Sequence, residues 1–465
     1  MNDLFILRNS YHDICRRFNC QAETEDRIYR KRFAFSVDVL YNIRYLNLHR
    51  NAVFISSMKD NQDSSNASSR KQFYFLTSLH TVLDSYATLL SHLLPRLLAK
   101  LATTATRNSL AGNFISIYSI FSSLGQILFG WLSDRVRTVH FITFGVALTA
   151  IGLSLLWVAP SATVVYVLLA IGGIGVASFH PQATTYAGAL ATGGRGLGTS
   201  IFLTGGNIGR ALGPLVLMFI PYRLGLEYLV WEMIPGVLLA LLVPKVLKFD
   251  KELKLTASTR GTPDEEPMPQ EPFWTVARPR LLSLNVLFII AAFRTVTAVG
   301  LENFLSVYLD NQGYTDQVRS LVIALFIFAG SMGIMSSGWL MSRVNTYVLL
   351  LVSLLGAPPL LYASLHTDGP SFLVFLFLGN VVLSSSITVN IILAQIILRG
   401  HENIASSFMM GAAWGVGGLL NKFVGVFGDR FGLPMVLDGL VMLPLVLAPL
   451  LILLRDQPDL SKPAP

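Results

Sequence analysis

From Phe73 onward the chain alternates long apolar runs with short polar or Gly/Pro-marked breaks. A helix needs about 20 apolar residues to cross a bilayer. That ruler places spans near 73–97, 108–132, 139–159, 162–187, 197–220 and 226–247, then near 281–309, 318–341, 346–366, 370–398, 403–427 and 433–454. The pattern predicts an all-α membrane protein of about twelve transmembrane helices. A charged, Pro-bearing stretch (PDEEPMPQEP) between the sixth and seventh spans cannot bury itself and reads as a linker. The expected organisation is a polar extension over 1–72, a six-helix bundle over 73–247, a cytoplasmic linker over 248–280, a second six-helix bundle over 281–455 and a tail over 456–465.

A repeat supports the division into halves. Gly130-Trp131-Leu132-Ser133-Asp134-Arg135 ends the second span, and Gly338-Trp339-Leu340-Met341-Ser342-Arg343 ends the eighth, the same place in its half. Composition agrees: 52% of residues are hydrophobic and only 13% charged, with a mean hydropathy of +0.56. Soluble chains carry about 25% charged residues. Wholesale disorder is excluded, as is a disulfide scaffold, since the only cysteines are Cys15 and Cys20. Spacing along the chain offers no metal-ligand set, and no metal or other cofactor is expected. The net charge of +8 is not gathered on a soluble domain, so nucleic acid is not an expected partner. Without a nucleophile–base pair or phosphate loop, an enzyme is not expected; the GGIG run at 172–175 lies within a span, where glycines pack helices.

Loop charge sets the orientation. With the N-terminus cytoplasmic, inner loops and flanks hold about 17 basic residues against about 6 outside. Both termini are therefore expected inside, although Arg96, Lys100 and Arg107 crowd the first outer loop against the rule. Residues 1–72 show no signal-peptide pattern and end in a Ser/Asn-rich run. Translation is expected to begin at Met58, the alternative being a cytosolic tail.

Polar groups inside spans are costly and usually face a cavity or a partner. The first span carries Thr77, His80, Thr81, Asp84, Thr88 and Ser91 on one stripe. His80 and Asp84, one turn apart, can share a proton, or else form a structural pair locking that span to a neighbour. In the fourth span His180 precedes Pro181, where it can meet a cavity or cap a freed carbonyl. In the seventh, Arg294 suits an anionic substrate group or Asp84, and Glu302 reads as interfacial. A second stripe, Asn380, Ser384, Thr388 and Gln395, marks the tenth span. Spans 1, 4, 7 and 10 would then line a central cavity. Arg210 and Lys422 stand amid glycines, where helices approach and slide or cations snorkel.

GWLSDR resembles the loop 2–3 signature of the major facilitator superfamily through Gly130, Asp134 and Arg135, and Gly209, Gly213 and Pro214 resemble its antiporter-type fifth-span motif. The nearer likeness is to the fosmidomycin resistance protein family of bacterial exporters. It shows in His80…Asp84…Leu94-Pro95, in Phe179-His180-Pro181, in GGRGLGTSIFLTGGNIGRALGP, in Ala292-Phe293-Arg294, in Ala394-Gln395, and in FMMGAAWGVGGL through GDRFGLP. The resemblance implies two rocking six-helix bundles in the bacterial cytoplasmic (inner) membrane, working as a monomer on a small-molecule substrate and protons. It implies export of a drug or metabolite in exchange for protons, with Asp134 a gating latch. Departures at Ser342, Arg210, Asn421-Lys422, Glu302-Asn303 and Ile396 bear on substrate and coupling ion. The expected roles are proton coupling at Asp84 and His80, substrate contact at His180, Arg294 and the tenth-span stripe, and gating at the glycine motifs. Proton-coupled uptake of an organic acid and a transport-inactive sensor remain open alternatives.

Overall fold

In lipid every backbone polar group must be bonded within the protein, which selects helices for apolar runs of this length. The computed structural model describes residues 67–136, 138–190, 195–247, 272–341, 343–398, 401, 404–405 and 408–454, and among them there is no strand. The first half comprises α1 (67–87 and Leu89–Leu101, parted by a turn at Thr88), α2 (Arg107–Ser119, a π-helical turn Ile120–Leu124, then Gly125–Arg135), α3 (His140–Ser154), α4 (Ala162–Leu190), α5 (Arg195–Leu217, extended by Phe219–Leu224) and α6 (a 3-10 segment Leu226–Glu232, then Met233–Val246). The second comprises α7 (Leu281–Asn311), α8 (Asp316–Leu340), α9 (Thr346–Leu365), α10 (Gly369–Ile397), α11 (a π-helical turn Phe408–Ala412, then Ala413–Phe431) and α12 (Leu433–Leu447, then a 3-10 segment Ala448–Leu454). Among the described residues, nine helices are long and apolar enough to cross a membrane. The Met58 start, most of the 1–72 extension, 248–271 of the linker and the 456–465 tail lie outside the described residues.

Two expected boundaries shift. Helix already covers Arg70-Lys71-Gln72, because Gln72 is buried and accepts a hydrogen bond from the Tyr186 hydroxyl at 2.9 Å. The end of the linker is also helical: Phe273–Ala277 and Arg278–Arg280 lead into α7, with Val276 and Ala277 buried in the second half's core.

The halves pair their helices alike. Contacts of α3 with α4, α2 with α4 and α3 with α6 recur as α9 with α10, α8 with α10 and α9 with α12. Contacts between halves are matched too, α2 with α11 beside α5 with α8, and α1 with α7. This is the fold expected of the GWL repeat, whose Trp131 and Trp339 both lie exposed near helix ends. Lipid-facing apolar side chains such as Val216, Leu238, Met335 and Val446 cover the outside. Burial against lipid supplies no strong drive for association, so helices meet through close packing. A Cβ on Gly209 of α5 would overlap the Thr81 carbonyl of α1, and one on Gly425 of α11 would overlap the Asn108 carbonyl of α2.

The halves are tied together where α1 ends and α2 begins. Arg96 of α1 grips Asp316 of α8 through Nη2 (2.6 Å) and Nε (3.1 Å), and Arg107 of α2 bonds Asp310 of α7 at 2.5 Å. Buried Arg319 donates to both aspartates, holding them in place. Asp429 of α11 accepts the backbone N–H groups of Asn108 and Ser109, capping the α2 N-terminus from the opposite half at 2.8 and 2.7 Å. The crowding of basic residues between α1 and α2 thus has a cause: Arg96 and Arg107 are neutralised across the interface, and Lys100 donates to the Trp157 and Ala159 carbonyls.

Candidate functional site

α1 places His80 and Asp84 one turn apart, and α4 brings His180 to the same point. The His80 ring stacks on Phe202 of α5, 4.1 Å between centroids, and its Nδ1 donates to the Phe202 carbonyl at 2.8 Å. His180 Nδ1 donates to Val176 O at 2.9 Å, one turn back on α4. A carbonyl only accepts, so each Nδ1 bears a hydrogen, and in the neutral rings each Nε2 presents a lone pair. These lone pairs converge on a carboxylate: His80 Nε2 lies 3.3 Å from Asp84 Oδ2, His180 Nε2 3.4 Å from Asp84 Oδ1, and the two Nε2 atoms 3.3 Å apart. Three acceptors facing one another repel until a cation joins them. One proton on either Nε2 turns that atom into a charge-assisted donor to Asp84. His80 and Asp84 are buried, and a Cβ on Gly206 would overlap both.

Spacing along the chain offers no ligand set, but packing assembles three possible donor atoms here. The three donor atoms lie within 4.8 Å of one another, a cluster fit for a small cation, the proton included. Chain spacing concealed it because its third member arrives from α4, 96 residues beyond Asp84.

Asp84 and His180 open onto a cavity of about 190 Å³, also lined by Thr88 and Ser91 of α1, Tyr118, Ser119, Ser122, Ser123 and Gln126 of α2, Arg210 of α5, Glu302 and Asn303 of α7 and Trp414 of α11. It is smaller than the roughly 300–1,000 Å³ of sites for drug-sized ligands. Ser122 and Ser123 belong to the π-helical turn of α2, a local widening common at functional sites. Across the cavity Arg210 Nη2 donates to Glu302 Oε2 at 2.8 Å, joining the two halves.

Several expected placements differ. Glu302 is not interfacial but pairs with Arg210, which in turn does not snorkel; Lys422 is the cation left exposed. Arg294 is fully buried outside the cavity lining, 5.6 Å from the Trp414 ring centroid, and meets neither Asp84 nor another carboxylate among the described residues. Its Nη2 donates to Thr295 Oγ1 at 2.8 Å, while Nε and Nη1 have no hydrogen-bond partner among the described residues. Asp84, Thr88 and Ser91 of the α1 stripe line the cavity, while the other polar positions serve helix contact. Thr81 donates to Gly205 O and Thr88 to Arg210 O, both on α5. On α10, Asn380 donates to Phe326 O of α8, Ser384 to Asn380 and Thr388 to Ile334 O; these three and Gln395 stand outside the cavity lining. The cavity is therefore formed by α1, α2, α4, α5, α7 and α11 rather than by α10. Missed by sequence reasoning were the α2 hydroxyls and the Arg210–Glu302 pair, for which the signal was two intramembrane charges of opposite sign.

Of the gating residues, Gly130 faces Pro181 at ordinary contact distance, and the side chains of Asp134 and Arg135 lie outside the described residues. Gly209 and Gly213, with Pro214 in the same helix, seat α5 on Thr81 and Ser85 of α1, a contact within one half.

The sequence profile of the Major Facilitator Superfamily matches residues 85–421. The chain is 26% identical over 374 residues to the "Fosmidomycin resistance protein" of Escherichia coli (strain K12), covering 79% of this chain and 88% of that protein. It is 26% identical over 370 residues to the "Uncharacterized MFS-type transporter YfnC" of Bacillus subtilis (strain 168), with coverage of 79% and 88%. Among solved structures it resembles a bacterial homolog of the human lysosomal transporter Spinster in an inward-facing, unoccupied conformation (TM-score 0.67, 15% identity, covering 85% of this chain and 99% of that one). It also resembles a D-xylose–proton symporter (TM-score 0.64, 15% identity, 81% and 96%). At such identities these two likenesses concern the fold alone.

Proposed function

We propose, for a chain that belongs to the Major Facilitator Superfamily and is a multi-pass membrane transporter, that it exports a small organic anion in exchange for protons by alternating access. The observation that carries the reading is the convergence of His80, Asp84 and His180 beside a cavity between the halves, because three acceptors around one point make a seat for one proton. The relative named for fosmidomycin resistance supports efflux as the direction and a phosphonate as the cargo type. The loop-charge bias supports both termini being cytoplasmic, and the bacterial relatives support an inner-membrane location. The Arg96–Asp316, Arg107–Asp310 and Asp429 contacts then close the outer face, and the cavity serves the cytoplasmic side. Asp84, His80 and His180 carry the proton; His180 also meets cargo. The working unit is a single chain.

The test is uphill movement of labelled fosmidomycin in proteoliposomes under an imposed pH gradient. Accumulation that disappears when a protonophore collapses the gradient is expected. Movement only down the probe's own gradient identifies a uniporter, and binding with no movement identifies a sensor. Accumulation in the direction of proton flow identifies uptake by symport.

A further inference from the structure

The proton seat leaves two cavity charges without a role, Arg210 and Glu302. They come from opposite halves, Arg210 from α5 and Glu302 from α7, and both line the cavity. The Arg210 side chain is one-quarter exposed and, among the described residues, its guanidinium makes one hydrogen bond, Nη2 to Oε2 at 2.8 Å. An Arg fork carries five N–H donors and binds two acceptor oxygens side by side better than one. Here Glu302 engages a single nitrogen, a monodentate hold on a group built for a bidentate one. Phosphonate, phosphate or carboxylate oxygens entering the cavity would meet a cation whose resting partner is readily exchanged. Arg294, the other intramembrane arginine of the central region, is fully buried outside the lining.

We infer that Arg210 is the anion-binding residue of the cavity and that Glu302 is its resting counter-ion, displaced when an anionic cargo arrives. The exchange has a mechanical consequence. The pair bridges α5 and α7, and cargo replaces that direct bridge with its own oxygens. Loading therefore rewrites a bond between the two halves at the place where they must separate. Glu302 acts as a competitor for Arg210, which gives its replacement an unusual sign: removing it improves binding. The inference rests on the proposal of an anionic cargo but is independent of the proton seat.

The test titrates methylphosphonate into the purified protein and reads tryptophan fluorescence, which Trp414 at the cavity wall makes sensitive, alongside thermal stabilisation. Glu302→Gln is expected to bind about tenfold more tightly than the unaltered chain, because Arg210 no longer has to leave a carboxylate. Arg210→Gln should lose binding. Since that change strands Glu302 and could impair folding, the neutral double variant Arg210→Gln/Glu302→Gln is the decisive comparison: it should fold and still fail to bind. Arg294→Gln should bind as the unaltered chain does. Unchanged or weaker binding by Glu302→Gln overturns the inference, as does binding by the double variant or its loss in Arg294→Gln. A gradient-driven flux of fosmidomycin that survives in the double variant overturns the role of Arg210 while leaving proton exchange intact. Loss of coupling in Asp84→Asn with methylphosphonate binding retained separates the two proposals in the other direction.

Discussion

One hold between the halves is Asp429, a residue of α11 that caps a helix of the other half. Its carboxylate accepts two backbone N–H groups at the start of α2, at 2.8 and 2.7 Å, where the helix has donors without intrahelical partners. Asp429→Asn keeps the shape but leaves one oxygen, so one charge-assisted hydrogen bond is lost, costing about 1.5–3 kcal/mol. The favourable charge–dipole term at the helix N-terminus, about 0.3–1 kcal/mol, goes with it. The site is part-buried and water can replace some of what is lost, so a net penalty of about 2 kcal/mol on the closed state is reasonable, roughly a thirtyfold shift in the closed-to-open ratio. Arg96–Asp316, with Arg96 half exposed, contributes only about 0.2–1 kcal/mol and is the part that salt should weaken. Spin labels at exposed Thr103 and Gln312, one in each half, report the separation by pulsed electron resonance once Cys15 and Cys20 are replaced by serine. Asp429→Asn should add a longer-distance population in detergent and in lipid. Asp438→Asn, which alters a contact with His366 inside the second half, should leave the distribution as it was. A variant of Asp429 that folds and gives the unaltered distribution refutes the capping argument.

Other consequences are as direct. Gly209→Ala forces a methyl group into the Thr81 carbonyl and should destabilise the first half by about 1–3 kcal/mol, read as a lower Tm in detergent. Gly206→Ala meets the His80 ring and Asp84 and should uncouple transport without removing any titratable group, seen as lost gradient-driven accumulation with cargo binding retained. Arg294→Met removes a buried cation with no carboxylate partner among the described residues, so it should leave Tm unchanged or raise it; a large fall would refute this reading of an unpaired cation.

Hydropathy made the spans legible because lipid tolerates little else, and the paired GWL segments made the two halves legible because a duplicated bundle repeats its turns. His80 and Asp84 were legible as neighbours because one helical turn fixes their distance. His180 as their third partner was not, since only the packing of α4 on α1 brings it there. The α1 stripe reaches the cavity through Asp84, Thr88 and Ser91, whereas the α10 stripe stands outside it for a physical reason: a hydroxyl or amide in a span needs an acceptor, and close-packed helices supply backbone carbonyls as readily as a cavity supplies water. Thr81 on Gly205 O and Asn380 on Phe326 O are of this kind. Arg210 and Glu302, 92 residues apart and in different halves, became a pair only through the interface.

The central claim is that the seat formed by His80, Asp84 and His180 exchanges a proton for cargo. Its most direct test follows internal pH in proteoliposomes holding the unaltered chain or Asp84→Asn under an imposed pH gradient, while fosmidomycin is added. The account predicts a cargo-triggered proton movement in the unaltered chain that is absent from Asp84→Asn. Cargo flux without any proton movement in the unaltered chain, or an equal proton response in Asp84→Asn, contradicts it.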